Sequence, residues 1–251
     1  MSEISKNTVR GASPAGAHDA QAASAAVRAM FTAIAPRYDL LNHLLSLNVD
    51  RLWWRRAARA FVHILSRPNA RVLDICCGTG DMAFALRRAA GTSQIDIMGA
   101  DFSHAMLRRA CEKSGHKQVR WIEADALRLP FPNHCFDLLT AAFGFRNLAD
   151  YDAGLREIVR VLKPGAECGI LDFAEPPGKL GKAYQIYFRH VLPRVGTAIS
   201  GVRGPYLYLP ASVERFPQPD QIVMRMRSNG FSEAHWTAYT YGIAVFYRGR
   251  T

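Results

Sequence analysis

From Ala70 onward, short apolar runs rich in β-branched residues alternate with helix-length amphipathic stretches. That rhythm predicts a parallel sheet wrapped by helices. "RVLDIC" reads as the first strand and "DMAFALRRAA" as the helix behind it. "IDIMGAD" follows as a strand and "SHAMLRRACEKSG" as a helix with Ser103 at its N-cap. "VRWIEA", "FDLLTAA" and "AECGILDFA" supply further strands, with "YDAGLREIVRVL" as the helix between the last two, ended by "KPG". After the helical "DQIVMRMRSNG", "SEAHWTAYT" and "YGIAVFYRG" predict an antiparallel hairpin at the sheet edge. The fold class is α/β, with seven strands, mostly parallel, in a Rossmann-like doubly wound sheet.

Two stretches depart from this rhythm. Residues 177–219 are rich in Pro, Gly, Tyr and Arg and too long for an ordinary connection, which predicts an insertion acting as a lid or binding element. Upstream, 27–66 is helical in period and carries Trp53 and Trp54. That cap either packs on the sheet or roofs the site. Residues 1–26 are dominated by Ala, Ser and Gly and are expected to form a disordered tail, with neither the basic start nor the apolar centre of a secretory signal. The remainder, 27–251, is expected to form a single domain.

Composition narrows the setting. A hydrophobic fraction of 49% supports a real core, and no apolar run approaches the roughly 20 residues that span a bilayer. Five cysteines without framework spacing predict free thiols and a reducing, cytoplasmic compartment. The formal charge of +11 suits a polyanionic partner, nucleic acid or an anionic membrane surface, although it serves solubility equally well.

The chemistry concentrates at "VLDICCGTGD", a buried strand ending in a glycine turn. In a doubly wound sheet, ligands sit at the carboxyl ends of the strands, where Gly78 and Gly80 let backbone N–H groups approach. Asp101 closes the second strand, where a carboxylate accepts the hydroxyls of a ribose. Asp125 ends the third, placed to accept from an adenine amino group. "GTGDMA" lacks the third glycine of a dinucleotide turn, and Asp81 there would repel a pyrophosphate but tolerate a cation. The set suits S-adenosylmethionine better than a nicotinamide dinucleotide. Taken singly, Asp101 is also a helix cap and Asp125 also a solvated loop residue. Cys76 and Cys77 have no second pair at metal-site spacing and read as small buried residues, so no metal is expected.

"YDLLNHLLSLNVDRLWWR", "LDICCGTGD", "ADALRLPFP", "FGFRNLADYDAGLREIVRVLKPG", "FRHVLPRVG" and "YLYLPASVERFP" together resemble the ubiquinone/menaquinone biosynthesis C-methyltransferases, over about Met30 to Arg248. The resemblance implies a class I S-adenosylmethionine-dependent methyltransferase fold. It also implies methyl transfer to a ring carbon of a polyprenylated quinol, demethylmenaquinol first and the ubiquinone-pathway benzoquinol as the alternative. It carries cofactor contacts onto Thr79, Asp101, Asp125 and Ala126, and the candidate cofactor set extends to Asp74, Gly78, Gly80, Phe102 and Ala142. Some members have serine where Ala142 stands. Leu41, Asp50, Ala166, Asp172 and Ala174 are further departures from the family pattern, and Asp50 puts a catalytic role at its position in doubt.

Methylating a ring carbon needs electron density there, which a quinol gains as its hydroxyl ionises. The site must therefore favour an oxyanion and align the reacting atoms. Arg146 is the candidate for stabilising that oxyanion, directly or through a water, with Asn147 orienting the same water. The alternative pairs Arg146 with Asp150 or Asp152 to hold the loop. Tyr38, Asn42, Tyr208 and Ser212 are candidate substrate contacts, and His190 is either an acid/base or a structural histidine. Aromatic and basic residues of the insertion, Tyr184, Tyr187, Phe188, Lys179, Lys182, Arg189 and Arg194, suit an amphipathic surface touching an anionic membrane. The leading reading expects no nucleic-acid partner, and a homodimer is one arrangement it allows. An RNA methyltransferase and a non-catalytic scaffold of quinone synthesis are the competing readings.

Overall fold

The computed structural model describes residues 10–12, 14, 16–39, 46, 48–115, 118–176, 178, 181, 187, 194 and 204–251. Seven strands form one sheet: β1 (Arg71–Ile75), β2 (Asp96–Asp101), β3 (Arg120–Glu123), β4 (Phe136–Ala142), β5 (Leu162–Phe173), β6 (Glu233–Tyr239) and β7 (Ala244–Arg250). Their order is β3-β2-β1-β4-β5-β7-β6. β1 to β5 pair in parallel, and β7 runs antiparallel between β5 and β6. The predicted edge hairpin is present.

The order reverses between β1 and β4, so their connections leave on opposite faces and open a crevice at their carboxyl ends. Both faces of the sheet are covered. α2 (Val49–Arg59), α3 (Val62–Leu65) and α4 (Asp81–Ala89) pack on one face. α6 (Tyr151–Val161) and α8 (Pro219–Ser228) pack on the other. α5 (His104–Ser114) lies against β2 and β3, and α7 (Gly204–Arg215) lies over the crevice end, in touch with α1 (Ala20–Ile34) and the single turn Phe145–Asn147. β1 and β4 are almost wholly buried because both faces are sheathed, which is why they read as continuous apolar runs.

Two boundaries differ from the sequence-based expectation. Order begins well inside 1–26: α1 starts at Ala20, with Asp19 accepting the Ala22 N–H at 2.7 Å as its N-cap. Ala23 and Val27 are buried. An alanine-rich run is a poor core but a strong helix former, and its small side chains allow close docking. Upstream, Arg10–Ala12 lies along Leu148–Tyr151 through two backbone bonds of 2.7 Å. "KPG" does not end a helix: α6 stops at Val161, and Lys163–Gly165 belongs to the start of β5, where Gly165 takes φ +74° as the register with β4 shifts. Ser103 is the N-cap of α5 by position, but its hydroxyl meets that of Thr32 on α1 at 3.1 Å.

The cap and the insertion are described in part. Trp53 and Trp54 are buried, and Trp53 packs on Phe143 and Phe173 at the carboxyl ends of β4 and β5. α2 therefore does both things expected of it: it packs on the sheet and it walls the crevice end. Asn42, His190 and, of the insertion's aromatic and basic residues, Lys179, Lys182, Tyr184, Phe188 and Arg189 lie outside the described residues.

Candidate active site

β1 stops at Ile75, and Cys76 turns the chain at φ +49°, a left-handed conformation costly for a side chain with a Cβ. Gly144, at the end of β4, makes room for it: a Cβ on Gly144 would lie 2.3 Å from that of Cys76. The two strand ends are thereby keyed together, and the crevice opens beside them with about 650 Å³ of empty space, its mouth included.

Eight of the expected site residues line this crevice: Tyr38, Gly78, Asp101, Phe102, Asp125, Ala126, Ala142 and Asn147. The Asp101 carboxylate accepts the Gly78 N–H at 2.8 Å and the Ser103 N–H at 2.9 Å, and so ties the turn after β1 to the start of α5. Burial pushes its pKa up to about 6, against the pull of the Ser103, Gly78 and Phe102 N–H groups. Asp125 stays exposed, with Oδ1 accepting from Leu127 N at 2.9 Å.

The other expected residues stand behind the crevice wall. Gly80 serves packing: at φ +89°, a Cβ there would meet the Trp121 ring at 2.4 Å. Thr79 is buried and its hydroxyl turns away from the crevice, donating to Asp39 and reached by Lys113 at 3.0 Å. Asp81 opens α4 and pairs with Lys113 at 2.9 Å, so it is not the acid that guards the turn. Asp74 is fully buried. Its Oδ1 accepts the Thr140 hydroxyl at 2.7 Å while Oδ2 has no hydrogen-bond partner among the described residues, and burial raises its pKa to about 7 against the Thr140 bond.

Arg146 is likewise withdrawn. Its side chain is 5% exposed and bonds Asp172 at 2.7 Å, the Phe143 carbonyl at 2.5 Å and Ser212 of α7 at 3.3 Å. Burial opposes its charge, and the Asp172 carboxylate overrides it, raising the Arg146 pKa. The partner is neither Asp150, which caps α6 through Ala153 N, nor Asp152, which pairs with Arg225. Arg146 does not border the crevice; Asn147 does, and Tyr208 donates to its Oδ1 at 3.1 Å.

Sequence reasoning missed Cys76, Met106 and Phe143 as lining residues. Phe143, at φ +59°, stacks on Phe173 with 4.5 Å between ring centroids and extends the wall toward Trp53 and Trp54. Ser24 and Phe31 of α1 close the opposite side. Among the described residues lining the crevice there are two carboxylates and no lysine or arginine. Such a pair of acceptors fits hydroxyls, an amino group and a cation, and it repels a pyrophosphate.

A doubly wound sheet of this order with its crevice at the β1–β4 reversal is the class I S-adenosylmethionine-dependent methyltransferase fold. Solved structures share it, including a SAM-dependent methyltransferase from Thermotoga maritima described as a possible histamine N-methyltransferase (TM-score 0.59, 19% identity, 88% of this chain and 98% of that one). A SAM-dependent methyltransferase from Aquifex aeolicus is another (TM-score 0.53, 18% identity, 73% and 83%). Within that class, the chain belongs to the ubiE/COQ5 methyltransferase family, whose model matches residues 19–251. It is 49% identical over 234 residues to a demethylmenaquinone methyltransferase of Deinococcus radiodurans, covering 92% of this chain and 95% of that one. It is 48% identical to the Thermus thermophilus enzyme of the same name (88% and 99%) and 41% identical to a ubiquinone/menaquinone biosynthesis C-methyltransferase of Geobacter sulfurreducens (89% and 87%). No helix among the described residues is long and apolar enough to cross a membrane.

Proposed function

We propose that this chain methylates a ring carbon of a polyprenylated quinol, demethylmenaquinol, with S-adenosylmethionine held in the β1–β4 crevice. The observation that carries the reading is the crevice lining, two acids and no base, beside an aromatic wall. Asp101 would accept the ribose hydroxyls and Asp125 the adenine amino group, with Phe102, Met106 and Ala126 flanking the flat ring. When bound, S-adenosylmethionine supplies an electrophilic methyl group.

Phe143, with Phe173 and Trp53 behind it, offers a face on which a quinol ring stacks. Asn147, held by Tyr208, directs its amide toward a ring hydroxyl or its water and orients the developing oxyanion. Arg146 acts as a positioning residue: with Asp172 and Ser212 it ties the Phe145–Asn147 turn to β5 and to α7. The relatives named for demethylmenaquinone support the naphthoquinol over the benzoquinol. A polyprenyl tail also supports peripheral contact with the membrane that dissolves it.

The test is an incubation of purified protein with methyl-labelled S-adenosylmethionine and, separately, a reduced demethylmenaquinone or bulk RNA. Label in the quinol ring is expected. Label in RNA alone, or in neither, overturns the reading.

A further inference from the structure

Arg51, Arg55 and Arg59 recur every four residues along the exposed side of α2, and Arg88 of α4 faces them across a trough with Trp54 and Phe84 at its floor. None of the four arginine side chains has an ion pair or a hydrogen bond among the described residues. Elsewhere the surface spends its carboxylates on arginines: Arg28 on Glu123, Arg120 on Asp96, Arg225 on Asp152 and Arg248 on Glu167. The two acids of the trough, Asp39 and Asp81, are both engaged by Lys113 at 2.9 Å. A set of like charges left without counter-charges in one concavity is complementary to a polyanion.

Exposed apolar residues on α2 itself, just after it and on a turn bonded to it identify which polyanion. Leu52 is 51% exposed, Val62 42% and Tyr241 81%. Tyr241 stands at φ +57°, held in a turn that Trp53 Nε1 ties to α2 through Thr240 at 2.7 Å, while Arg56 stacks over Tyr239. That turn enters β7 beside the carboxyl end of β5, the end of the sheet where the crevice opens. Aliphatic and phenol side chains standing among arginines enter a headgroup layer, whereas a nucleic acid asks for accessible rings on which bases stack. The trough's own rings, Trp54 and Phe84, are buried.

We propose that the outer face of α2, with Arg88 and the Tyr241 turn, docks this protein on a bilayer of anionic phospholipid through the headgroup phosphates. The proposal deepens the quinol reading by naming the surface that meets the lipid phase. The other side of the same helix, Trp53, packs on the aromatic wall of the crevice, so docking brings the site within one helix diameter of that phase.

The experiment uses the full chain, sedimented with phosphatidylglycerol vesicles or with phosphatidylcholine vesicles, and titrated separately with RNA. The wild type is expected to bind phosphatidylglycerol, weakly in high salt, and not phosphatidylcholine. At about fivefold per surface cation, Arg51→Gln/Arg55→Gln/Arg59→Gln should weaken that binding about 100-fold. Arg108→Gln/Arg120→Gln/Arg156→Gln, matched in charge change but placed on other faces, should leave it within a few-fold. Tyr241→Gly relaxes a left-handed residue, so its loss of vesicle binding would not come from unfolding. The α2 triple variant should methylate a short-chain quinol in detergent at the wild-type rate, which separates failure of docking from failure of the quinol reading. Undiminished vesicle binding by that variant, or RNA binding that it abolishes in place of lipid binding, overturns the proposal.

Discussion

Arg146 and Asp172 meet at 2.7 Å with side chains 5% and 0% exposed, and the same carboxylate also accepts the Arg146 backbone N–H at 3.0 Å. The pair closes the turn after β4 onto the end of β5. Removing one member strands the other as a buried charge. Asp172→Ala is expected to lose about 3–5 kcal/mol of stability in urea unfolding, and Arg146→Met/Asp172→Leu to recover part of it. A loss below about 1 kcal/mol for the single variant would mean that solvent reaches the pair.

Asp74 and Asp101 make stability depend on pH in the opposite sense to a paired carboxylate. Burial raises Asp74 to about 7 and Asp101 to about 6 from 3.8. A carboxyl whose folded pKa is raised favours folding fully below its unfolded pKa, and the benefit is lost as pH climbs through the folded value. Ligand-free protein should therefore lose stability between about pH 4 and pH 8, by on the order of 4 kcal/mol for Asp74 at most. Asp74→Asn should flatten that slope in melting curves recorded across pH. An unchanged slope would show that Asp74 stays ionised or hydrated throughout.

Binding of the methyl donor should follow the ionisation of Asp101. A carboxylate accepts ribose hydroxyls better than a carboxylic acid does, so calorimetric affinity should rise as pH passes about 6. Asp101→Ala should weaken affinity by about 1.5–3 kcal/mol, the scale of a hydrogen bond to a charged group. Equal affinity in variant and wild type would remove Asp101 from the donor site.

Gly80 separates packing from ligand contact. Gly80→Ala places a methyl 2.4 Å from the Trp121 ring on a left-handed residue, which should cost about 1–3 kcal/mol. Trp121→Ala in the same chain should leave the strain of φ +89° and lift the clash, so the double variant's loss should fall short of the two single losses combined. Strict additivity in denaturant titrations would refute the contact.

Tyr208→Phe deletes the donor to Asn147 without altering the fold of α7. A single hydrogen bond of about 1–2 kcal/mol predicts turnover slower by about 5- to 30-fold with donor affinity unchanged. Turnover at the wild-type rate would take Tyr208 out of the site.

The strands, the turn and the two acids at strand ends were legible because period and spacing are local properties. The partner of Arg146 was not. Asp150 and Asp152 are its neighbours in sequence, yet one caps α6 and the other holds Arg225, while Asp172 arrives from the next strand over. Cys76 looked like filler because nothing in its identity announces a left-handed backbone. Thr79 and Gly80 stand in the same turn but point away from the crevice, which Cys76 and Gly78 line. α1 was hidden by its alanines, which bury little surface each but dock as a helix.

The interlock of Cys76 with Gly144 divides the labour of this molecule. Because the Cys76 Cβ sits against the bare Cα of Gly144 where β1 and β4 end, the floor behaves as a fixed anvil, and a side chain added at position 144 would force the two strand ends apart. On the quinol reading, choice among acceptors falls to the ceiling, the elements contributing Phe31, Tyr38, Trp53 and Tyr208.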